Sequence, residues 1–493
     1  MKLSVLLEKM EYEILQGSDR EINSLVYDSR KVSKGDLFVC IKGATFDGHD
    51  KADEVAIKGA GAIVVERDIT KEQQLPSDLA VILVKDTRLA LAQLSAAYFD
   101  YPAEKLVTIG ITGTKGKTTT TYMVKNVLEA CGLSCGLIGT IETIIGDEHI
   151  PAVNTTPESY IVQETFAKMV SRGIHYVVME VSSQGLMLHR VGGFTFDYGV
   201  FTNLSEDHIG PNEHRDFADY MNCKAMLFGQ CKTGIFNIDD KYAQDMMKMA
   251  GCKKETYGET EKADVCGDGL ELFREDGIAG IKYMLRCGSE TCPVTVNVPG
   301  DFSLHNSLCA IAICRHFVKE TGRIVNALRN VSVKGRCELV PVSENFSVMV
   351  DYAHNALSLE SLLSSIRKYN PERIVCLFGC GGNRSRDRRF EMGEVSSRLA
   401  DFTIVTSDNP RNEEPKDIIN DIIVGVKKGG GAYTVIEDRR EAIAYALQFA
   451  KKGDMIIIAG KGHEDYQEIK GVKHHFSDRE VIEEIAAGEK MWV

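Results

Sequence analysis

Short, almost wholly apolar runs alternate along this chain with longer amphipathic stretches, and Gly, Asp and Pro mark the junctions. In the first hundred residues "GDLFVCIKG", "GAGAIVVE" and "LAVILVKDT" precede the helical "ALAQLSAAYFDYP". Short apolar runs alternating with helices predict an α/β unit. Tyr101-Pro102 breaks the pattern and marks a linker. A second unit starts near Leu106, where "LVTIGIT", "HYVVMEV" and "FDYGVFTNL" read as strands with no polar face. Such strands belong to parallel sheets covered on both sides. From about Gly251 to Pro299, Gly/Asp/Glu turns separate short strands such as "GIKYMLR" and "PVTVNV". This predicts an antiparallel excursion before the helix "SLHNSLCAIAICRHFVKE". Near "VKGRCELV" a third α/β unit begins, with strands "FSVMVDYA", "RIVCLFG", "FTIVTS" and "DMIIIAG". The expected architecture is α/β with three domains, 1–102, 103–335 and 336–493.

In open parallel sheets, ligands bind beyond the carboxyl ends of the strands. The residues that follow each apolar run are therefore the first place to look for chemistry. The run "LVTIGI" leads to Thr112-Gly113-Thr114-Lys115-Gly116-Lys117-Thr118-Thr119, "YVVM" to Glu180-Val181-Ser182-Ser183, and "YGVF" to Thr202-Asn203 and then Asp207-His208. In the third unit "VMV" leads to Asp351-Tyr352-Ala353-His354 and "VCLF" to Gly379-Cys380-Gly381-Gly382-Asn383-Arg384. "TIVTS" leads to Asp408-Asn409-Pro410-Arg411, and "IIIA" to Gly460-Lys461-Gly462-His463-Glu464. Seven polar or glycine-rich strand ends in two sheets point to one large composite site.

The first strand end has a direct physical reading. Backbone N–H groups of a glycine loop entering a helix favour anionic oxygens. Lys117 would reach the β- and γ-phosphates of a nucleotide, and the Thr118 hydroxyl would hold Mg²⁺. Ile111 stands where the common P-loop carries a small residue, so this is not the generic motif. Glu180 is a candidate Mg²⁺ carboxylate, since that ion takes one or two protein ligands plus phosphates. His208 follows a strand expected beside the P-loop strand.

Composition narrows the class. The 493 residues are 44% hydrophobic and 26% charged, which is globular, and the length suits about three domains. A net charge of −13 argues against nucleic-acid binding, which needs a basic face. The N-terminus "MKLSVLLEKMEYEIL" is too interrupted by charge for a signal peptide, and no apolar stretch is long enough for a membrane span. A cytoplasmic protein without membrane insertion is expected. The 14 cysteines include no C-x-x-C pair, so reduced thiols are expected, with a structural zinc among Cys252–Cys292 as the competing reading.

The motifs "GTKGKTT", "MEVSSQGL", "FTNLSEDH", "GRCELV" and "VDYAH", in this order, resemble the Mur ligases, ATP-dependent amide-forming enzymes of peptidoglycan synthesis. The resemblance spans nearly the whole chain. Within the family, "DSRKVSKGDLFVCIKGATFDGH" and "NTTPE" resemble the enzymes that extend a UDP-N-acetylmuramoyl dipeptide. The resemblance implies a uridine-nucleotide-binding first domain, a P-loop ATPase-like second and a Rossmann-like third. It implies that ATP phosphorylates the D-glutamyl γ-carboxylate and that an amine attacks the acyl phosphate. Gly113, Thr114, Lys115, Gly116, Lys117, Thr118 and Thr119 would hold the phosphates. His305 and Asn306 would meet adenine, and Asp351 and His354 would flank ribose and phosphates. Thr118, Glu180, His208 and Lys224 would bind Mg²⁺, with Lys224 in "NCKAMLF" modified to a carbamate, while Arg336 adds positive charge. Tyr27 and Ser29 would meet the uridine end, and Asn154, Thr155, Thr156, Ser182 and Arg190 the muramoyl peptide. A monomer is expected.

By the same resemblance, Asp408-Asn409-Pro410-Arg411 in "SDNPRNEEP" matches the tetrad of family members that add meso-diaminopimelate. A planar guanidinium can grip that ligand's distal carboxylate bidentately, and lysine has no such group. Arg384, Gly460 and Glu464 would complete the pocket, with Glu464 facing the distal ammonium. Two departures from the diaminopimelate pattern are "NALSL" after His354 and Asn383 in place of Asp. A lysine-adding relative, a folylpolyglutamate synthetase and a non-catalytic homologue are the alternatives. The synthetase should lack the "DSR…GDLFV…DGH" segment, and a silent homologue should have lost Lys117, Glu180, His208 or Lys224.

Overall fold

The computed structural model describes residues 1–43, 46–207, 209–210, 213–275 and 277–489. The chain divides into two compact units, Met1–Tyr257 and Gly258–Val493.

The first unit contains two sheets. Its N-terminal sheet has the order Glu13–Gln16, Ala80–Leu83, Ala62–Val65, Leu37–Val39, Leu25–Val26. Only the outermost pairing, Glu13–Gln16 on Ala80–Leu83, is antiparallel. Ala62–Val65 is buried at every position, which is why it reads as a continuous apolar run rather than an alternation. Leu91 and Leu94 of the helix Thr87–Tyr98 pack on one face of this sheet.

The larger sheet of this unit runs Lys253–Gly258, Cys231–Asn237, Phe196–Phe201, Val107–Thr112, Tyr176–Glu180, Cys135–Ile138, Glu142–Ile145, Glu148–Pro151. The first six are parallel and the last two antiparallel. Lys253–Gly258 thus belongs to the parallel sheet, so the antiparallel texture begins later than the expected Gly251. Its glycine signal is the turn before a half-buried parallel strand.

The second unit begins with an antiparallel meander, Val265–Glu275, Ile278–Cys287 and Glu290–Val296. The helix Ser303–Cys314 is hydrophobic nearly all round and almost entirely buried. A six-stranded sheet follows in the order Glu338–Val340, Ser347–Asp351, Asp454–Ala459, Arg373–Phe378, Phe402–Val405, Tyr433–Val435. All its pairings are parallel except the first. Asp454–Ala459 comes last of these in sequence yet sits in the middle, so the carboxyl ends of four strands open side by side. No helix among the described residues is long and apolar enough to cross a membrane.

Candidate active site

Three neighbouring strands build the glycine-loop centre of the first unit. Val107–Thr112 lies between Tyr176–Glu180 and Phe196–Phe201, with Ile111 beside Glu180 and Thr112 beside Phe201. Gly113 (φ +146°) and Gly116 (φ +83°) turn the chain into the helix Lys117–Ala130. A β-carbon on Gly113 would stand 2.0 Å from Thr202 Oγ1, so both dihedral and space demand glycine. The next strand end pins the loop. Thr114 N donates to Asn203 O (2.9 Å) and Lys115 N to Asn203 Oδ1 (2.9 Å). Lys115 O accepts from Thr202 Oγ1 (2.8 Å) and Asn203 Nδ2 (3.0 Å). The anchoring role of Thr202 and Asn203 was not foreseen; their place after a strand was the only signal.

Glu180 is 1% exposed and accepts from Thr118 Oγ1 (3.0 Å), Thr140 N (2.8 Å) and Thr140 Oγ1 (3.0 Å). Thr140, on the turn after Cys135–Ile138, is a further addition to the sequence-based set. Lys117 Nζ and Lys224 Nζ both donate to the Gly113 carbonyl at 2.8 Å. Lys224 sits at the end of the helix Phe217–Ala225, over the Tyr220 ring. Burial pushes its pKa well below the usual lysine range, and the charge of Lys117 adds to this. A lowered pKa favours the unprotonated amine, which is the nucleophilic form of lysine. His208 lies outside the described residues. His214, Asp219 and Cys223 also converge, but His214 already uses Nε2 on Ser183 Oγ (2.8 Å) and Nδ1 on Asp219 (3.3 Å).

Thr156 ties the expected peptide loop to this centre. Its hydroxyl donates to Glu180 O (2.9 Å) and accepts from Ser182 N (2.9 Å), while Arg190 Nη1 donates to Thr156 O (3.1 Å). Thr155 Oγ1 meets Thr140 Oγ1 at 3.1 Å, and Asn154 is exposed at the start of the loop. Arg190 and Arg88 flank Glu158, the last residue of the loop, at 3.8 and 3.5 Å, and Arg88 is the residue that sequence reading missed. Tyr27 packs on Tyr160, just after the loop, with ring centroids 5.8 Å apart. Ser29 lies in the short helix Ser29–Lys31, and its carbonyl accepts from Lys58.

The second unit carries a cavity of about 320 Å³ at its strand ends. Arg384, Asp408, Asn409, Arg411, Gly460 and Glu464 all line it, as do Tyr352, His354 and Arg388. Pro410 does not line it. Its carbonyl instead would meet a β-carbon on Gly382 at 1.9 Å, so these two loops touch backbone to backbone. Arg411, in the left-handed region (φ +52°), donates to Gly382 O (2.8 Å) and lies 3.3 Å from Glu468. Asn409 Nδ2 donates to Glu464 Oε2 (2.8 Å), and its Oδ1 accepts from the buried Lys461 (3.2 Å). Lys461 is a missed member, visible in sequence only as part of "GKGHE". Burial raises the pKa of Glu464, and the neighbouring Asp408 carboxylate raises it further.

Beside this cavity the Arg336 guanidinium covers the Tyr352 ring at 4.7 Å. His354 and His463 flank the same ring at 4.6 and 4.8 Å. Burial lowers the pKa of His463 to about 3, with the charges of Arg336 and Lys334 adding, so the ring is neutral. His354, expected at the nucleotide, thus also borders this cavity. Asp351 takes backbone N–H groups of Cys337 and Ala353, both at 2.8 Å. Asn306 is buried on the helix Ser303–Cys314, and His305 beside it is partly exposed. The cysteines from Cys252 to Cys292 join no group of three metal-ligating side chains among the described residues.

Family models match three consecutive parts of the chain. They are the Mur ligase family catalytic domain over residues 21–99, the Mur ligase middle domain over 111–314, and the Mur ligase glutamate ligase domain over 335–462. The UDP-N-acetylmuramoyl-L-alanyl-D-glutamate--2,6-diaminopimelate ligase 1 of Clostridium acetobutylicum is 43% identical over 98% of this chain and 99% of its own length. The corresponding 2,6-diaminopimelate ligase of Caldanaerobacter subterraneus is 42% identical over 99% of each. A solved structure of a UDP-N-acetylmuramoyl-L-alanyl-D-glutamate--2,6-diaminopimelate ligase superposes with a TM-score of 0.71 at 27% identity, covering 95% of both chains. With a P-loop, a buried lysine and a strand-end cavity placed as described, and full-length relatives above 40% identity, the chain belongs to the Mur ligase family.

Proposed function

We propose that this protein is an ATP-dependent ligase that joins meso-diaminopimelate to the D-glutamyl γ-carboxylate of UDP-N-acetylmuramoyl-L-alanyl-D-glutamate in peptidoglycan precursor synthesis. The cavity that brings Arg384 and Arg411 together with Asp408 and Glu464 carries the reading. Its mixed charges suit an amino acid with both a carboxylate and an ammonium at its far end. The relatives whose names specify 2,6-diaminopimelate support the same amine.

The chemistry proceeds in two steps. An oxygen of the γ-carboxylate attacks the γ-phosphorus of ATP, the β–γ bridging P–O bond breaks, and ADP leaves. The amine nitrogen of diaminopimelate then attacks the acyl carbon, loses a proton and expels phosphate. Bringing two anions together is the main obstacle, and aligned positive charge is the remedy. Lys117 and the loop from Gly113 to Thr119 hold the phosphates, and Arg336 is a further cation assigned to the nucleotide. The buried oxygens of Glu180 and Thr118 are 3.0 Å apart and fit a hard cation. Together with His208 and the Lys224 carbamate they would hold Mg²⁺, which when bound offsets phosphate charge. In its unprotonated form the Lys224 amine adds to CO₂, forming an N–C bond and releasing a proton, and so becomes an anionic ligand. His305, Asn306, Asp351 and His354 serve the nucleotide. Tyr27, Ser29, Asn154, Thr155, Thr156, Ser182 and Arg190 hold the uridine-linked peptide, and Asn409, Pro410 and Gly460 shape the amine pocket. The divisions 1–102, 103–335 and 336–493 correspond to these three tasks in a monomeric cytoplasmic enzyme.

The test is phosphate release with the muramoyl dipeptide, ATP and Mg²⁺, with diaminopimelate and lysine offered separately. Diaminopimelate should support turnover at least ~100-fold better, because lysine lacks the distal carboxylate that the cavity's guanidinium groups would hold. Equal use of lysine, or no ADP with either amine, would reject the assignment.

A further inference from the structure

Three glycines stand side by side across the larger sheet of the first unit, where Gly199 pairs with Gly110 on one flank and Gly234 on the other. Missing side chains leave a trough on that face, and three large groups fill it. A β-carbon on Gly110 would meet the Phe196 ring at 2.9 Å, on Gly199 the Cys231 sulfur at 2.8 Å, and on Gly234 the Cys252 sulfur at 2.9 Å. Paired strands are about 4.8 Å apart, so sulfurs over neighbouring glycines are themselves neighbours. Both cysteines belong to one apolar cluster with Leu227, Phe236 and Met246, which fixes them on the same side of the sheet. Cys231 is buried and Cys252 is partly exposed. None of this lies at the strand ends that hold the reaction.

We propose that Cys231 and Cys252 form a modification site, a thiol pair that closes to an intramolecular disulfide on meeting a low-molecular-weight disulfide. The Cys252 thiolate attacks one sulfur of the oxidant RSSR, whose S–S bond breaks and releases RS⁻. The Cys231 thiolate then attacks Cys252 Sγ, forms the protein disulfide and expels the second RS⁻. The two cysteines lose two electrons and two protons, and both arrive on two molecules of RSH. Burial raises the Cys231 pKa, and the adjacent Cys252 thiol contributes, so the partly exposed partner acts first. The second step needs only a nucleophile already in place. The bridge would tie the chain just after the Lys224 segment to the start of the strand Lys253–Gly258.

The folded, full-length protein is incubated with oxidised glutathione, alkylated, digested without reductant and mapped by mass spectrometry. The expected product is a cross-linked peptide joining Cys231 to Cys252, lighter by two hydrogens and abolished by dithiothreitol. In Cys231→Ser, Cys252 should instead retain a stable glutathione adduct. A glutathione adduct at Cys252 in the unaltered protein that never passes to Cys231 would overturn the proposal. So would a disulfide that pairs either cysteine with a different partner, or two thiols that both remain fully alkylatable. The unaltered chain alone decides these outcomes, so failure of a variant to fold does not shelter the idea.

Discussion

Gly113 shows how much one residue can decide. Its φ of +146° and the 2.0 Å approach of Thr202 Oγ1 leave no room for a β-carbon. Gly113→Ala should shift the loop by enough to lower ADP formation about 100-fold with the fold intact, checked by kinetics and circular dichroism. Glu464 governs a different variable. Its pKa is raised by burial first and by Asp408 second, so the carboxylate proposed to receive the amine's ammonium is lost as pH falls through a value above the ordinary 4.5. The kcat/KM for diaminopimelate should therefore drop about tenfold per pH unit on an acid limb shifted upward from that of a free glutamate. Glu464→Gln should remove the limb and cost ~10–100-fold. The P-loop could be read from residues 111–119 because its function lies in consecutive backbone N–H groups. Thr140, Thr202 and Lys461 could not, since each matters only through a partner distant in sequence.

Among the elements, the C-terminal helix Asp478–Glu489 shows what holds the strand-end cavity in shape. Asp478 and Arg439 are fully buried and joined by two hydrogen bonds of 2.7 Å. Arg439 also donates to Ala459 O (3.1 Å) and stands 4.0 Å from Asp408, so the pair reaches two cavity-bearing strand ends. Arg439→Met should cost about 3–5 kcal/mol, because it strands a buried carboxylate. Adding Asp478→Leu should recover most of that loss, measured by urea unfolding. The helices Asp387–Leu399 and Pro415–Gly429 illustrate the limit of element prediction. A β-carbon on Gly425 would meet Phe390 O at 1.9 Å, and one on Gly393 would meet Ile422 O at 2.3 Å. Glycine inside a helix argues against that helix by propensity. Here it permits two backbones to meet, a benefit that exists only once the helices are paired.

On the scale of the whole molecule, the glycine loop proposed to hold phosphate lies in Met1–Tyr257 and the cavity proposed for the amine in Gly258–Val493. Defects in the two should therefore separate. Arg411→Ala should raise the KM for diaminopimelate about 100-fold and leave the KM for ATP within ~2-fold, whereas Lys117→Ala should abolish ADP formation with any amine. Removing divalent cations with a chelator should stop ADP formation, and Mg²⁺ should restore it. By itself the sequence determined the alternation of buried strands and helices, the glycine loop and the chemistry placed after each strand. Those features are set by neighbours a few residues apart, through periodicity and backbone dihedrals. Tertiary structure alone decided that the Lys224 amine is buried against the Gly113 carbonyl, that Glu180 meets Thr118 and Thr140, and that Asn409 is shared by Glu464 and Lys461. Burial and long-range contact set those properties, and neither exists until the strands have found their order in the sheet.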